Sequence, residues 1–111
     1  MDPLHQFKKG VTTLVILDAL AHGPRYAYGL RQQAYQRTRG AFQFSEGALY
    51  PLLHSLERKR WVNATRRDVA GRDRRYYAIT PAGRHALAQL RRDWQLLTRA
   101  LTRLTTKPRR S

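Results

Sequence analysis

The chain is 111 residues long and sets 22 lysines and arginines against 7 acids, a formal net charge of +15. That length suits one domain able to bury a core without staples, and the lack of cysteine excludes disulfides, thiolate metal sites and a thiol nucleophile. So basic a balance, with arginine well ahead of lysine, draws polyanions, because guanidinium groups match phosphate oxygens and guanine edges. No stretch reads as a leader or a membrane span, so a soluble, cytoplasmic protein with no membrane partner is expected.

In chain order, the first apolar periodicity predicts a helix over 4–21. Leu4, Phe7, Val11, Leu14, Val15 and Ile16 fall at helical spacing, with Lys8, Thr12 and Asp18 off that face. His22-Gly23-Pro24 stops it, since glycine permits a reversal and proline lacks an amide donor. A second helix is expected over Tyr26–Thr38, with Leu30 and the tyrosines inward. Gly29 weakens it by about 1 kcal/mol relative to alanine.

The third helix carries the most information. Ser45 is a good N-cap, and Glu46 complements the helix dipole in the first turn. Leu49, Leu52, Leu53 and Leu56 form one apolar stripe, whereas Gly47, Tyr50, Pro51, His54, Ser55 and Arg58 occupy the other side. Small hydrogen-bonding groups opposite a greasy face suit a major groove. Pro51 lies past the first turn, where it removes one internal hydrogen bond and distorts the helix locally without ending it.

The period then changes to two. Val62 and Ala64 alternate with polar neighbours, as do Tyr77 and Ile79 with Tyr76 and Ala78, and the run 66–75 between them is rich in arginine. A β-hairpin with a basic tip is predicted. Thr80-Pro81 opens the last helix as N-cap and first-turn proline. Along it Leu87, Leu90, Trp94, Leu97, Leu101 and Leu104 follow a heptad seam too long for one small domain to cover, so a homodimer is inferred. The fold class is therefore mostly α with a small β-hairpin: a winged helix-turn-helix over 1–80, a coiled-coil-like dimerisation helix over 81–105 and a basic tail over 106–111.

From Lys9 to Leu101 the chain resembles the PadR-type transcriptional regulators, in a short form with a single C-terminal helix. The most specific matches are Ala48-Leu49-Tyr50-Pro51-Leu52-Leu53 with Leu56-Glu57, and the run from Arg75 to Gly83. Lys9-Gly10 and Gly23-Pro24 followed by Tyr28 and Leu30 add to them. The resemblance implies a winged-helix dimer, joined through its C-terminal helices, that binds inverted-repeat operators in double-stranded DNA and usually represses. It also implies that an effector, where one acts, sits near the dimer interface. The chain departs from the family at Ala27, where glycine is usual, at Gly29, where an acid is usual, and at Arg60, where glycine usually closes the recognition helix.

The candidate DNA contacts are Ser45, Glu46, Gly47, Tyr50, Pro51 and His54 on the third helix, then Arg72, Arg74 and Arg75 on the wing, with Lys8 and Lys9 on the backbone. The resemblance places Tyr50 on DNA; the competing reading is a half-buried packing tyrosine. Glu46 can accept from cytosine or serve only the helix dipole. For the wing arginines the alternative is a solvated cluster moderated by Asp68 and Asp73, and for Lys8, Lys9, Arg109 and Arg110 the solvated reading weighs equally.

Leu87, Leu90, Trp94, Leu97, Leu101 and Leu104 form the expected dimer interface. Trp94 is either a core anchor there or the wall of a pocket for a small aromatic effector. Trp61 is expected to pack the wing on the third helix, and Tyr26, Tyr28 and Tyr35 to pack in the core, with a small-molecule cleft as the alternative. The histidines lack metal-ligand spacing, and no Gly-rich phosphate loop or activated nucleophile is present, so neither metal, cofactor nor catalysis is expected. Charge alone leaves a competing reading, a non-specific architectural or RNA-binding protein.

Overall fold

A computed structural model describes residues 11–106. Along them run α1 (Thr12–Ala21), β1 (Arg25–Tyr26), α2 (Ala27–Arg37), α3 (Glu46–Arg58), β2 (Val62–Val69), β3 (Arg72–Ile79) and α4 (Pro81–Thr105). The three strands form one antiparallel sheet in the order β1-β3-β2. The part of the predicted first helix before Val11, with Lys8 and Lys9, lies outside the described residues, as do Arg109 and Arg110.

α1 packs against α2 and α4 and gives the core Ile16, Leu17, Ala19 and Leu20. The inward face is thus rotated from the expected one: Leu14 and Val15 are only partly buried. The run from Leu14 to Leu17 is apolar all round, so periodicity could not fix its inner face. Gly23 ends the helix at φ +136°, its amide donating to the Leu20 carbonyl at 3.1 Å.

Expected inside a helix, Tyr26 instead belongs to the two-residue strand β1 and is the N-cap of α2, pairing with Tyr76 while Arg25 pairs with Tyr77. So short a strand has no periodicity to read. Within α2, Leu30 and Ala34 are buried, but Tyr28 and Tyr35 are 52% and 48% exposed, which corrects their assignment to the core.

α3 begins as expected, the Ser45 hydroxyl accepting from the Ala48 amide at 3.2 Å, and it continues through Pro51 to Arg58. Leu49, Leu53 and Leu56 are fully buried in the core, and Leu52 is partly so. The helix closes in a Schellman turn: the Arg60 amide donates to the Glu57 carbonyl and the Trp61 amide to that of Leu56. Arg60 takes the left-handed position at φ +63°, where a Cβ is unfavourable by about 1 kcal/mol. Trp61 packs against the core, with the Lys59 ammonium 4.8 Å from its ring centre.

The hairpin is longer and tighter than expected. Its ladder runs from Val62↔Ile79 to Val69↔Arg72 and turns on Ala70-Gly71, both with positive φ, as in a type I′ connection. Residues 66–69 and 72–75 are therefore strand, not turn. Alternating charge hid them, because the outer half of the hairpin has no core beneath it. Its base is set into the core by buried Val62 and Tyr77.

Thr80 joins the wing to α4. Its amide donates to the Trp61 carbonyl at 3.0 Å, its hydroxyl donates to the Arg60 carbonyl at 2.7 Å, and that hydroxyl oxygen accepts from the Gly83 amide. Gly83 allows this docking, since a Cβ there would lie 2.2 Å from the Trp61 carbonyl oxygen.

Candidate nucleic-acid interface

The buried leucines of α3 fix which side of the helix faces outward. Ser45, Glu46, Gly47, Tyr50, Pro51 and His54 are all exposed and follow one another along that side. Tyr50 is 39% exposed, so most of the ring still rests on its neighbours. Pro51 has no amide hydrogen, so the Gly47 carbonyl one turn earlier lacks its usual intrahelical donor. The helix thus offers a backbone acceptor on the same face.

A groove of about 310 Å³ separates the start of α3 from the starts of α2 and β3. Tyr26, Tyr28, Arg31, Glu46, Tyr50, Arg74, Arg75 and Tyr77 are among its lining residues. Burial pushes the Tyr77 phenol up, with the Arg75 guanidinium acting against this. The phenol is therefore neutral at physiological pH.

The wing arginines are not equivalent. Arg72 is exposed beside the turn, at the true tip. Arg74 lies halfway down the hairpin, its guanidinium 4.5 Å from the Tyr26 ring centre. Arg75 is directed back to α3 and donates to the Glu57 carboxylate at 3.0 Å. Arg66 is paired with Asp73 at 2.5 Å, and Arg67 lies over Tyr76. Of the three arginines assigned to a basic tip, only Arg72 is there; the other two face the groove. Sequence reasoning passed over Arg31, whose guanidinium stands 3.9 Å from Glu46 and 5.8 Å from the Tyr28 ring centre. Its place in the groove is tertiary, so nothing in α2 alone marks it.

Tyr28 also borders a second, shallower groove with Gln32, Tyr35, Gln36 and Phe44. Of the three tyrosines for which a cleft was the alternative, Tyr28 and Tyr35 line this groove and Tyr26 lines the first. Trp94 lines neither groove. Among the described residues no group of histidines and acids could hold a metal ion, and no helix is long and apolar enough to cross a membrane.

The seam of α4 divides. Leu87 is 2% exposed and Leu90 packs on the same core, so Leu87 is covered by its own chain, which corrects its assignment to a partner-facing seam. Beyond the half-buried Trp94, Leu97 and Leu101 are 45% exposed and Leu104 is 80% exposed. Leu96, which was not expected on the seam, is open as well. Between the two stretches Asp18 of α1 accepts from Arg91 at 2.8 Å and from Arg37 of α2 at 2.5 Å. Burial would raise the Asp18 carboxyl, but the two guanidiniums outweigh it and hold the pKa below the ordinary value.

Residues 16–89 match the model of the transcriptional regulator PadR-like family. A transcriptional regulator of Mycobacterium tuberculosis is 36% identical over 96 residues, which cover 86% of this chain and 87% of that protein. Among solved structures, a PadR-like transcriptional regulator of Bacillus cereus superposes with a TM-score of 0.81 at 26% identity, covering 93% of this chain and 99% of that one. A transcriptional regulator of Clostridium thermocellum shares the fold, with a TM-score of 0.83 at 23% identity over 91% of this chain and 99% of that one.

Proposed function

The chain belongs to the PadR-like transcriptional regulator family, and from that premise we propose a sequence-specific repressor that binds an inverted-repeat operator as a homodimer. The observation that carries the reading is the exposed face of α3 set beside an arginine-bearing hairpin. Docked in a major groove, the first turns of α3 would bring Ser45, Glu46, Tyr50 and His54 to base edges and phosphates. The Gly47 carbonyl would add an acceptor for an exocyclic amine. Arg72 would lie over the adjoining minor groove or its phosphates.

Dimerisation supplies the second half-site. The exposed leucines of α4, from Leu96 to Leu104, would pair with those of a second copy. Two-fold symmetry in the protein then asks for two-fold symmetry in the operator, with half-sites about 34 Å apart or a multiple of that. Trp94 stands where the covered and open stretches of α4 meet. Two copies would bring two indoles together, able to hold a flat aromatic effector whose binding shifts the relative position of the two α3 helices.

Fluorescence anisotropy on DNA from upstream of the protein's own gene, against a scrambled duplex, tests the reading. The expected result at physiological salt is a preference of about a thousandfold or more. Equal, salt-labile binding to every sequence in a random pool would instead make the protein a non-specific nucleic-acid binder. Trp emission titrated with aromatic compounds tests the effector, and no response from Trp94 to any of them would remove it.

A further inference from the structure

The arginines of the groove differ in what they already hold. Arg75 is engaged with Glu57, and Arg66, just outside the groove, with Asp73. Arg31 and Arg74 are half-buried, yet neither guanidinium makes a hydrogen bond among the described residues; they rest on the rings of Tyr28 and Tyr26. The Arg31 Nε–H is enclosed and has no acceptor, and the contact with Glu46, at 3.9 Å, is too long for a hydrogen bond. An enclosed donor without an acceptor is costly and rare. That enclosed donor belongs to Arg31; Arg74 is held over the Tyr26 ring, and both guanidiniums, brought to one groove from α2 and β3, have forks suited to a phosphate oxygen pair.

The uncapped first turn of α2 borders the same groove. Tyr26 gives no side-chain cap, and no acid lies in that turn, so its partial positive charge is unopposed. Glu46 is the one nearby carboxylate without a close hydrogen-bonding partner, and it would swing from Arg31 as an anion entered.

We infer that Arg31 and Arg74 form the seat for one DNA backbone phosphate, held between the recognition helix and the wing. The inference rests on the DNA-binding reading above and adds α2 to the binding surface. The seat carries no base information; it fixes how deeply α3 enters the groove and keeps the wing in register with it.

Arg31→Met keeps the aliphatic stem and removes the charge, so thermal melting should be unchanged while DNA binding weakens. Each phosphate contact contributes about 0.9 to the slope of log affinity against log salt, so the variant should lose about one unit of slope. The loss should be equal on specific and scrambled duplexes, leaving their affinity ratio unchanged. Arg74→Met should do the same, and Arg31→Lys should keep most of the slope. An unchanged slope in Arg31→Met at unchanged melting temperature would overturn the seat while leaving the proposed function standing. If the wild-type protein shows no sequence preference but Arg31→Met still lowers the slope, the operator reading falls and the seat stands. Replacing chloride with inorganic phosphate at equal ionic strength should have no extra effect. A phosphate-specific loss of binding that Arg31→Met abolishes would assign the site to a free anion, not to the DNA backbone.

Discussion

The two halves of α4 read alike in sequence and behave differently in the fold. The first half is fastened at three places: Thr80 on the closing turn of α3, Gly83 against the Trp61 carbonyl, and Leu87 in the core. Arg91 adds an ion pair to Asp18. The second half keeps the same apolar spacing but presents Leu97, Leu101 and Leu104 to solvent. A heptad pattern says that a stripe will be covered and does not say by what. Here the body of the chain covers one half, and the proposed second copy would cover the other.

Changing one residue at a time in each half separates their roles. The largest effect is expected at the fastened end. Gly83→Ala would drive a Cβ into the Trp61 carbonyl and should cost about 3 kcal/mol in denaturant-monitored stability, with α4 prised from the body. An unchanged unfolding midpoint would mean that the close approach is not required.

At the open end Leu101→Glu should leave the isolated protomer folded and abolish pairing, seen as half the mass by sedimentation. Operator affinity should fall about a hundredfold as two linked half-site contacts become one. A monomeric wild-type protein at micromolar concentration would remove the difference between the halves.

The junction is tested by Asp18→Asn, which weakens both arginine contacts and should cost about 1 kcal/mol for so exposed a cluster. Because the folded-state pKa of Asp18 is depressed, its stabilisation is fully present above the ordinary value of 3.8 and is lost as the pH falls below it. Wild-type stability should therefore fall in that acid window more steeply than that of the variant.

The smallest effect, of opposite sign, is expected at the turn on which Thr80 rests. Arg60→Gly relieves a left-handed Cβ and should raise stability by about 0.5–1 kcal/mol in thermal melts.

What was legible in the sequence follows the same division between local and tertiary causes. Ser45 and Thr80 as caps, Pro81 at a first turn and the leucine stripe of α3 were readable because each acts within one turn of helix. The inner face of α1 was not, because Leu14, Val15, Ile16 and Leu17 are interchangeable to a periodicity argument. β1 was missed because its two residues gain meaning only from β3. The outer strands of the hairpin were missed because no core sits beneath them. Of the candidate site, the α3 face was visible as the side without leucines. The contribution of Arg31, and the different settings of Arg72, Arg74 and Arg75, depend on where the hairpin folds back against α2 and α3.

The Asp18–Arg91 pair also bears on the order of assembly. Its partners are 73 residues apart, whereas the ladder from Val69↔Arg72 outward closes over neighbours. Local closure is fast and distant closure slow, so the hairpin and α3 should form before α4 is fastened to α1. Stopped-flow refolding of Asp18→Asn should accordingly leave the folding rate nearly unchanged and speed unfolding. The exposed leucines would then reach their final orientation last, once the rest of the chain is no longer free to stick to them.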